Sequence, residues 1–188
     1  MKNWISNQID KASWLRFAIR FVLLFAYSWW AFVAPGFWTR ASEAAGPLPE
    51  TLQGFPEGQP ALAFSKLGEA TSDYLIFQAI DVPFAFLNAM MISSAIALGV
   101  KQLVLSATPL RFLLILPLMA LAADLTEDAF LVLMVSDILP DQGVVATLQQ
   151  SVTNLKGAAG MLGTVTALAA LVASAIVAVY RLIRGARS

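Results

Sequence analysis

The chain of 188 residues is 59% hydrophobic and 13% charged, its mean hydropathy is +0.73 and its formal net charge is zero. Such a composition excludes an ordinary soluble domain and indicates a polytopic membrane protein with room for about four spans of ~20 residues. The chain contains no Cys and no His, which excludes disulfide and thiol chemistry, the usual zinc sites and haem ligation through these residues, so we expect neither zinc nor haem.

The segment from Met1 to Leu15 predicts a short amphipathic helix that lies in the membrane interface. A solvated extension that runs directly into the first span is the alternative. The apolar residues of the segment fall near one helical face, and they are Trp4, Ile5, Ile9, Ala12 and Leu15.

The first span is predicted at about residues 16–35. Arg16 and Arg20 flank an apolar run, where their long side chains can reach the lipid headgroups, and Pro35 and Gly36 end the helix. A basic start before an apolar run is also typical of a signal peptide, but the length of this run and its aromatic residues favour a retained span.

Residues 37–73 are predicted as a long outer loop, because they are rich in Gly, Pro and acidic residues. Within them a short helix is expected from Ala61 to Leu67, with Gly68 as its stop. We interpret the segment as a connector, and a docking surface is the alternative.

The second span is predicted at about residues 74–100, and it has a polar stripe along one side. Pro83 cannot donate to the backbone ladder, so an irregularity is expected beside Asp81. A kink satisfied by water and a ligand position for a cation are the two interpretations of this pattern. The stripe consists of Tyr74, Gln78, Asp81 and Asn88.

The third span, at about residues 109–136, contains three acidic residues inside an apolar helix. Asp124, Glu127 and Asp128 are spaced i, i+3 and i+4, so they project from one helical face. Each would cost roughly 2.5–3.5 kcal/mol at mid-bilayer if it were charged and unpartnered. The cluster must therefore be paired, protonated, hydrated or metal-bound.

Two prolines shape the start of this span. Thr108 and Pro109 have the chemistry of a helix N-cap and a first helical turn. Pro117 removes the backbone donor that the Leu113 carbonyl would normally use, so a kink is expected there.

A long fourth helix is predicted at about residues 143–184, with Asp141 as a candidate cap. Lys156 is the obvious cation nearest to the carboxylates of the second and third spans, and its flexible stem can bend inward. Small residues continue along the face of Lys156 and suit close helix packing. We single out Gly160, Gly163 and Ala167 as packing residues.

Nine of the twelve basic residues fall on one predicted side, whereas Arg40, Lys66 and Lys156 lie on the other side with a larger number of acids. Both termini are therefore expected in the cytoplasm. The predicted fold is a single all-α domain over residues 1–188, an antiparallel bundle of four transmembrane helices in the bacterial inner membrane. Lipid is the expected partner, together with further copies of the chain or other membrane subunits, and nucleic acid is not. The basic residues on the predicted cytoplasmic side are Lys2, Lys11, Arg16, Arg20, Lys101, Arg111, Arg181, Arg184 and Arg187.

Short motifs make the chain similar to a widespread group of small bacterial four-helix membrane proteins of unassigned function. The resemblance covers about residues 61–160 and implies a four-helix fold without implying an activity. Asp128 stands where the group usually has Asn, and the Arg that the group often places shortly before the Tyr is absent here. The motif residues are Leu67 and Gly68, Tyr74, Asp81, Leu116 and Pro117, Asp124, Glu127 and Asp128, and Leu155 and Lys156.

The acidic residues predict a site for a proton or a hard cation in the outer half of the bundle, with transport as one use of such a site. Ligands that offer only oxygen favour Na⁺, Mg²⁺, Ca²⁺ or Mn²⁺ over zinc or copper. A structural or assembly subunit is one alternative, and a membrane enzyme with paired carboxylates is another. The site residues are Asp81, Asp124, Glu127, Asp128 and Asn88, with Lys156 as the charge partner.

Overall fold

The computed structural model describes residues 2–51, 59–105 and 108–185, and over these residues it is all-helical, as the sequence predicts. The helices are α1 Lys2–Asp10, α2 Trp14–Ser28, α3 Phe37–Ala45, α4 Gln59–Leu67, α5 Thr71–Gln102, α6 Leu116–Val135 and α7 Gly143–Gly185. Shorter turns accompany them, namely a π-helical turn at Trp29–Val33 and 3₁₀ turns at Pro49–Thr51, Gly68–Ala70 and Pro109–Ile115.

Three described stretches are long and apolar enough to cross a membrane, and they are Trp14–Val33, Pro60–Gln102 and Gly143–Arg184. A bilayer core of ~30 Å requires ~20 residues. The first stretch has 20 residues, and the other two have 43 and 42. Helix α6 also has 20 residues, but its three carboxylates give it more charge than an ordinary span contains.

The contacts between α2 and α5 show that these helices run in opposite directions. Arg20, early in α2, donates a hydrogen bond to the Met90 carbonyl of α5 at 2.9 Å. Tyr27, two turns later, donates to the carbonyl of Ile80 at 2.8 Å. A later position on α2 therefore meets an earlier position on α5.

Helix α7 packs against both α5 and α6. Gly163 faces Ile92 of α5 and Leu116 of α6, whereas the earlier Lys156 lies beside Glu127 of α6. Because an earlier residue of α7 meets a later residue of α6, these two helices are antiparallel. The same three helices surround the acidic residues.

The predicted outer loop contains helix α3, which its Gly and Pro content does not suggest. Gly36 has a φ of +66°, a left-handed conformation in which α3 can begin directly after the π turn of the first apolar stretch. Ala41 and Ala45 are buried, and α3 packs on α5. The expected short helix is present as α4, and Gly68 follows it with a φ of +50°. Residues 52–58 of the predicted loop lie outside the described residues.

The start of the third predicted span is a 3₁₀ turn instead of a kinked α-helix. Pro117 does remove the α-helical donor for the Leu113 carbonyl, but the backbone N–H of Leu116 bonds to that carbonyl with 3₁₀ spacing. The tighter turn thus satisfies the group that the proline would leave free. Thr108 has the extended backbone of an N-cap, but its hydroxyl donates to the Leu105 carbonyl instead of capping the helix.

Helix α1 differs from the predicted interfacial helix in where its apolar face lies. Ile5, Ile9 and Ala12 are buried in a core that includes the last turns of α5. The Lys101 amino group of α5 donates to the carbonyls of Asp10 and Ala12 at 2.7 and 2.9 Å, and so caps the end of α1. The amphipathic pattern is therefore satisfied by protein packing.

Helices α5 and α7 approach each other closely at Gly99 and Ala170. A Cβ atom added to Gly99 would lie 2.5 Å from the Ala170 Cβ and 2.9 Å from its Cα. Gly163 of α7 faces Ile92 of α5, and each of these residues precedes the Gly99–Ala170 contact in its own helix. Helices α5 and α7 therefore run in the same direction. Of the predicted packing residues, Gly163 and Ala167 are buried, whereas Gly160 faces open space.

We expect Gly99→Ala to destabilise the protein, because backbone atoms of α7 block the new methyl group and overpacking costs about 1–3 kcal/mol. Gly160→Ala is the matched control. Nothing lies within 4 Å of its new Cβ, so only the ~1 kcal/mol gain in helix propensity remains. Thermal unfolding of both variants in detergent measures the difference. Equal midpoints for the two variants would contradict the close approach of α5 and α7.

Candidate functional site

The acidic residues singled out from the sequence come together where α5, α6 and α7 meet. Helix α6 contributes Asp124, Glu127 and Asp128, all of which are buried, because its i, i+3 and i+4 spacing turns them toward the other two helices. Helix α5 contributes Asp81, which is half-buried, and α7 contributes Lys156. The structure thus brings together Asp81 and Lys156, which lie on different helices and are far apart in the chain.

Three of the carboxylates form a compact group. One oxygen each from Asp81, Asp124 and Asp128 lie within 4.8 Å of one another. Asp128 is only 5% exposed, and its Oδ2 atom has no hydrogen-bond partner among the described residues. A buried carboxylate oxygen without a partner pays a desolvation cost that a cation or a proton would remove.

Lys156 forms ion pairs with Asp124 of this group and with the fourth carboxylate, Glu127. Its amino nitrogen lies 2.5 Å from Asp124 Oδ1 and 2.6 Å from Glu127 Oε2. Glu127 is completely buried, so this pairing offsets the desolvation of its charge. The sequence predicts Lys156 as the charge partner, and the structure places it within direct contact of two acids.

Two residues of the cluster are absent from the sequence-based set. The hydroxyl of Thr153 donates to Glu127 Oε1, and the side-chain amide of Gln149 donates to Thr153 at 2.8 Å. Both are buried on α7. The sequence does contain a pattern that predicts them. Gln149, Thr153 and Lys156 recur at spacings of four and three and so form a polar stripe on one face of α7.

A cavity of about 280 Å³ opens beside the carboxylates. Asp81, Asn88, Asp124 and Lys156 contribute polar groups to its wall, so Asn88, which the sequence predicts as a site residue, lies in the same cavity as two of the acids. Gly160 also lines the cavity, and its missing side chain helps to leave this space open. The volume accommodates several water molecules, at ~30 Å³ each, or a hydrated ion.

The charges of the cluster do not balance within the described chain. Asp81, Asp124, Glu127 and Asp128 offer four carboxylates, and Lys156 is the cation that pairs with them. Asp81 and Asp128 form no ion pair with the described residues. Like charges at such distances repel strongly in a low dielectric, so protons or a bound cation must neutralise the remainder.

The outer segment adds Glu50 to this polar region. Tyr74 donates to Glu50 Oε2, and Gln78 donates to Glu50 Oε1, both at 3.1 Å. Burial of Glu50, together with the negative charge of Glu127, raises its pKa to about 7, against the lowering effects of a backbone hydrogen bond, Tyr74 and Lys156. Glu50 has no helical pattern around it in the sequence, so only the folded chain shows its link to the polar stripe of α5.

Comparisons of the chain with protein-family models, with curated proteins and with solved structures give no match. The resemblance to small four-helix membrane proteins stays a hypothesis that depends on the short motifs alone.

We expect the folded protein to lose stability as pH rises through the titration of Glu50. The pKa of Glu50 is raised from 4.5 in the unfolded chain to about 7 on folding, so the folded state binds this proton more tightly. The contribution is fully present below pH 4.5 and is lost as pH rises to about 7.

Glu50→Gln tests this expectation, because glutamine keeps the neutral form at every pH. Its thermal midpoint should equal that of the wild type near pH ~5 and exceed it near pH ~8. Glu43→Gln, an exposed change on α3, is the matched control and should show no such pH-dependent difference. A constant offset between Glu50→Gln and the wild type across this range would contradict the raised pKa.

Proposed function

We propose that the chain crosses the bacterial inner membrane four times, through α2, α5, residues 109–135 and α7, as an antiparallel bundle with both termini in the cytoplasm. Contacts at one end of the bundle support this arrangement. Lys101 lies against the end of α1, and Arg181 bonds to Gln102 at 2.8 Å. An excess of Lys and Arg at one end is typical of the cytoplasmic side.

The opposite end of the bundle contains the acidic outer segment. Arg40 of α3 forms a two-pronged ion pair with Asp73 at the start of α5, at 2.7 and 2.8 Å. Glu50 lies in the same segment, between α3 and α4. Arg187, which belongs to the predicted cytoplasmic set, lies outside the described residues.

Labelling of single cysteines tests the orientation, because the natural chain contains no Cys. Cysteine at exposed Glu43 should react with a membrane-impermeant maleimide in intact cells, whereas cysteine at exposed Arg184 should react only after lysis. Reaction at both positions after lysis is the control for accessibility. Labelling of Arg184→Cys, but not of Glu43→Cys, in intact cells would show the reverse orientation.

We propose further that Asp81, Asp124 and Asp128 bind a hard cation in exchange for protons. The observation behind this proposal is the convergence of three carboxylates within 4.8 Å beside an open cavity, with Lys156 as the one cation paired with them in the described chain. Carboxylate oxygens at this separation suit Na⁺, Mg²⁺, Ca²⁺ or Mn²⁺.

The division of roles follows from the contacts of each acid. Glu127 is fully occupied by Lys156 and Thr153, so it serves mainly to position Lys156. Asp128 has a free oxygen, Asp81 has no ion-pair partner in the described chain, and both face Asp124. Cation binding at these acids releases the protons that otherwise neutralise them, which is the coupling that an ion exchanger or a proton-linked transporter requires.

Ion binding can be measured on the purified protein in detergent. At constant ionic strength, at least one of Na⁺, Mg²⁺, Ca²⁺ and Mn²⁺ should raise the thermal midpoint and release protons into a weakly buffered solution. Asp128→Asn should weaken this effect roughly tenfold or more, because a charged ligand is lost. Asp137→Asn, an exposed change just after α6, is the control, since Asn tolerates the positive φ of 57° at this position.

A structural or assembly subunit is the second candidate function, and the buried chain from Gln149 through Thr153 to Glu127 favours it. This chain joins α6 to α7 without needing a ligand. The same experiment separates the two functions. If none of the four cations stabilises the wild type or releases protons, the cluster serves packing or subunit assembly and the cation proposal fails.

A further inference from the structure

A second cavity has a volume of about 260 Å³. Its wall contains residues of α1, α2, α5 and α6. Ala89 and Leu121 line this cavity and also the cavity beside the carboxylates. The polar residues of its wall are Trp4, Gln8, Arg20 and Ser93.

Arg20 gives this cavity its charge. The sequence predicts that the side chain of Arg20 can reach the lipid headgroups, and in the structure its guanidinium lies against α5. The Nη1 atom donates to the Met90 carbonyl at 2.9 Å and to the Ser94 hydroxyl. In the described part of the chain no carboxylate forms an ion pair with Arg20.

Arg20 keeps donors available for a ligand. A guanidinium has five N–H donors, and the bonds that Arg20 makes to the described residues all involve Nη1. Such a fork matches the oxygens of a phosphate group. The neighbouring Gln8 amide and Trp4 indole add neutral donors at the same wall.

The depth of Arg20 and the outer rim of the cavity fit a membrane lipid. Arg20 follows the first residue of α2 by six positions, which is ~9 Å along the helix and within reach of the headgroup region for a long side chain. Phe86 and Met90 on the cavity wall are 47% and 43% exposed. They offer an apolar path for an acyl chain beside a cationic pocket.

We propose that this cavity binds the phosphate group of an anionic phospholipid, with Arg20 as its charged ligand and Phe86 and Met90 along the acyl chain. The proposal uses the membrane arrangement described above but does not depend on cation binding at the carboxylates. Free phosphate has the same charged group as the lipid, but it has no acyl chain to contact Phe86 and Met90.

Binding of short-chain lipids to the detergent-solubilised protein tests the proposal. Titration of dioctanoyl phosphatidylglycerol, followed by native mass spectrometry, should give saturable binding to the wild type. Dioctanoyl phosphatidylcholine, whose headgroup has no net charge, should bind at least ~tenfold more weakly. Inorganic phosphate should not compete at concentrations equal to those of the lipid, and effective competition would overturn the lipid assignment.

Two variants locate the binding. Arg20→Gln should weaken phosphatidylglycerol binding at least ~tenfold, whereas Arg16→Gln removes an equal charge from the same helix but no residue of the cavity wall and should leave binding unchanged. An equal loss of phosphatidylglycerol binding in both variants would indicate nonspecific charge attraction and would contradict binding in this cavity.

Gln8→Glu keeps the proposal testable if Arg20→Gln does not fold. The new carboxylate would lie on the wall of the cavity that contains Arg20, where it should pair with the guanidinium and compete with the lipid phosphate. We expect loss of phosphatidylglycerol binding with retained helicity. Undiminished binding in this variant would show that the lipid does not use the cavity.

Discussion

The ion pairs of Lys156 with Asp124 and Glu127 are the interaction on which the centre of the structure depends. Glu127 has no exposure to solvent, and removal of one partner from such a buried pair typically costs about 3–5 kcal/mol. The pairs also fix the register between α6 and α7, because Lys156 contacts both acids from one position. The same positive charge also reduces the repulsion that Asp81 and Asp128 experience from the other carboxylates of this region.

Several features of the fold follow directly from residue patterns. The i, i+3, i+4 spacing on α6 placed its acids on one face, and the contradiction between charge and an apolar helix identified the site. The start of α7 at Gly143 was also predictable, since the apolar periodicity after residue 143 is helical. Local periodicity is sufficient for such features because each one depends on residues within a few turns of the same helix.

Other features depend on contacts between distant segments, and no local pattern contains them. The small residues on one face of α7 were visible in the sequence, but the close approach of Ala170 to Gly99 was not, because Gly99 lies in an apolar run of α5. Glu50 lay in a predicted loop, and its bonds to Tyr74 and Gln78 arise only when the outer segment folds back on α5. The burial of the α1 face likewise required knowledge of where α5 ends.

Ala89 and Leu121 lie between a region of excess negative charge and one that contains the Arg20 guanidinium, which forms no ion pair with the described residues. Across such a thin apolar partition, an anion beside Arg20 and a cation among the carboxylates attract each other through a medium of low dielectric. Each ligand would then raise the affinity of the protein for the other, and thermodynamic linkage makes the two factors equal. With both proposed ligands bound, the lipid composition of the membrane would thereby change the affinity of the carboxylates for a cation.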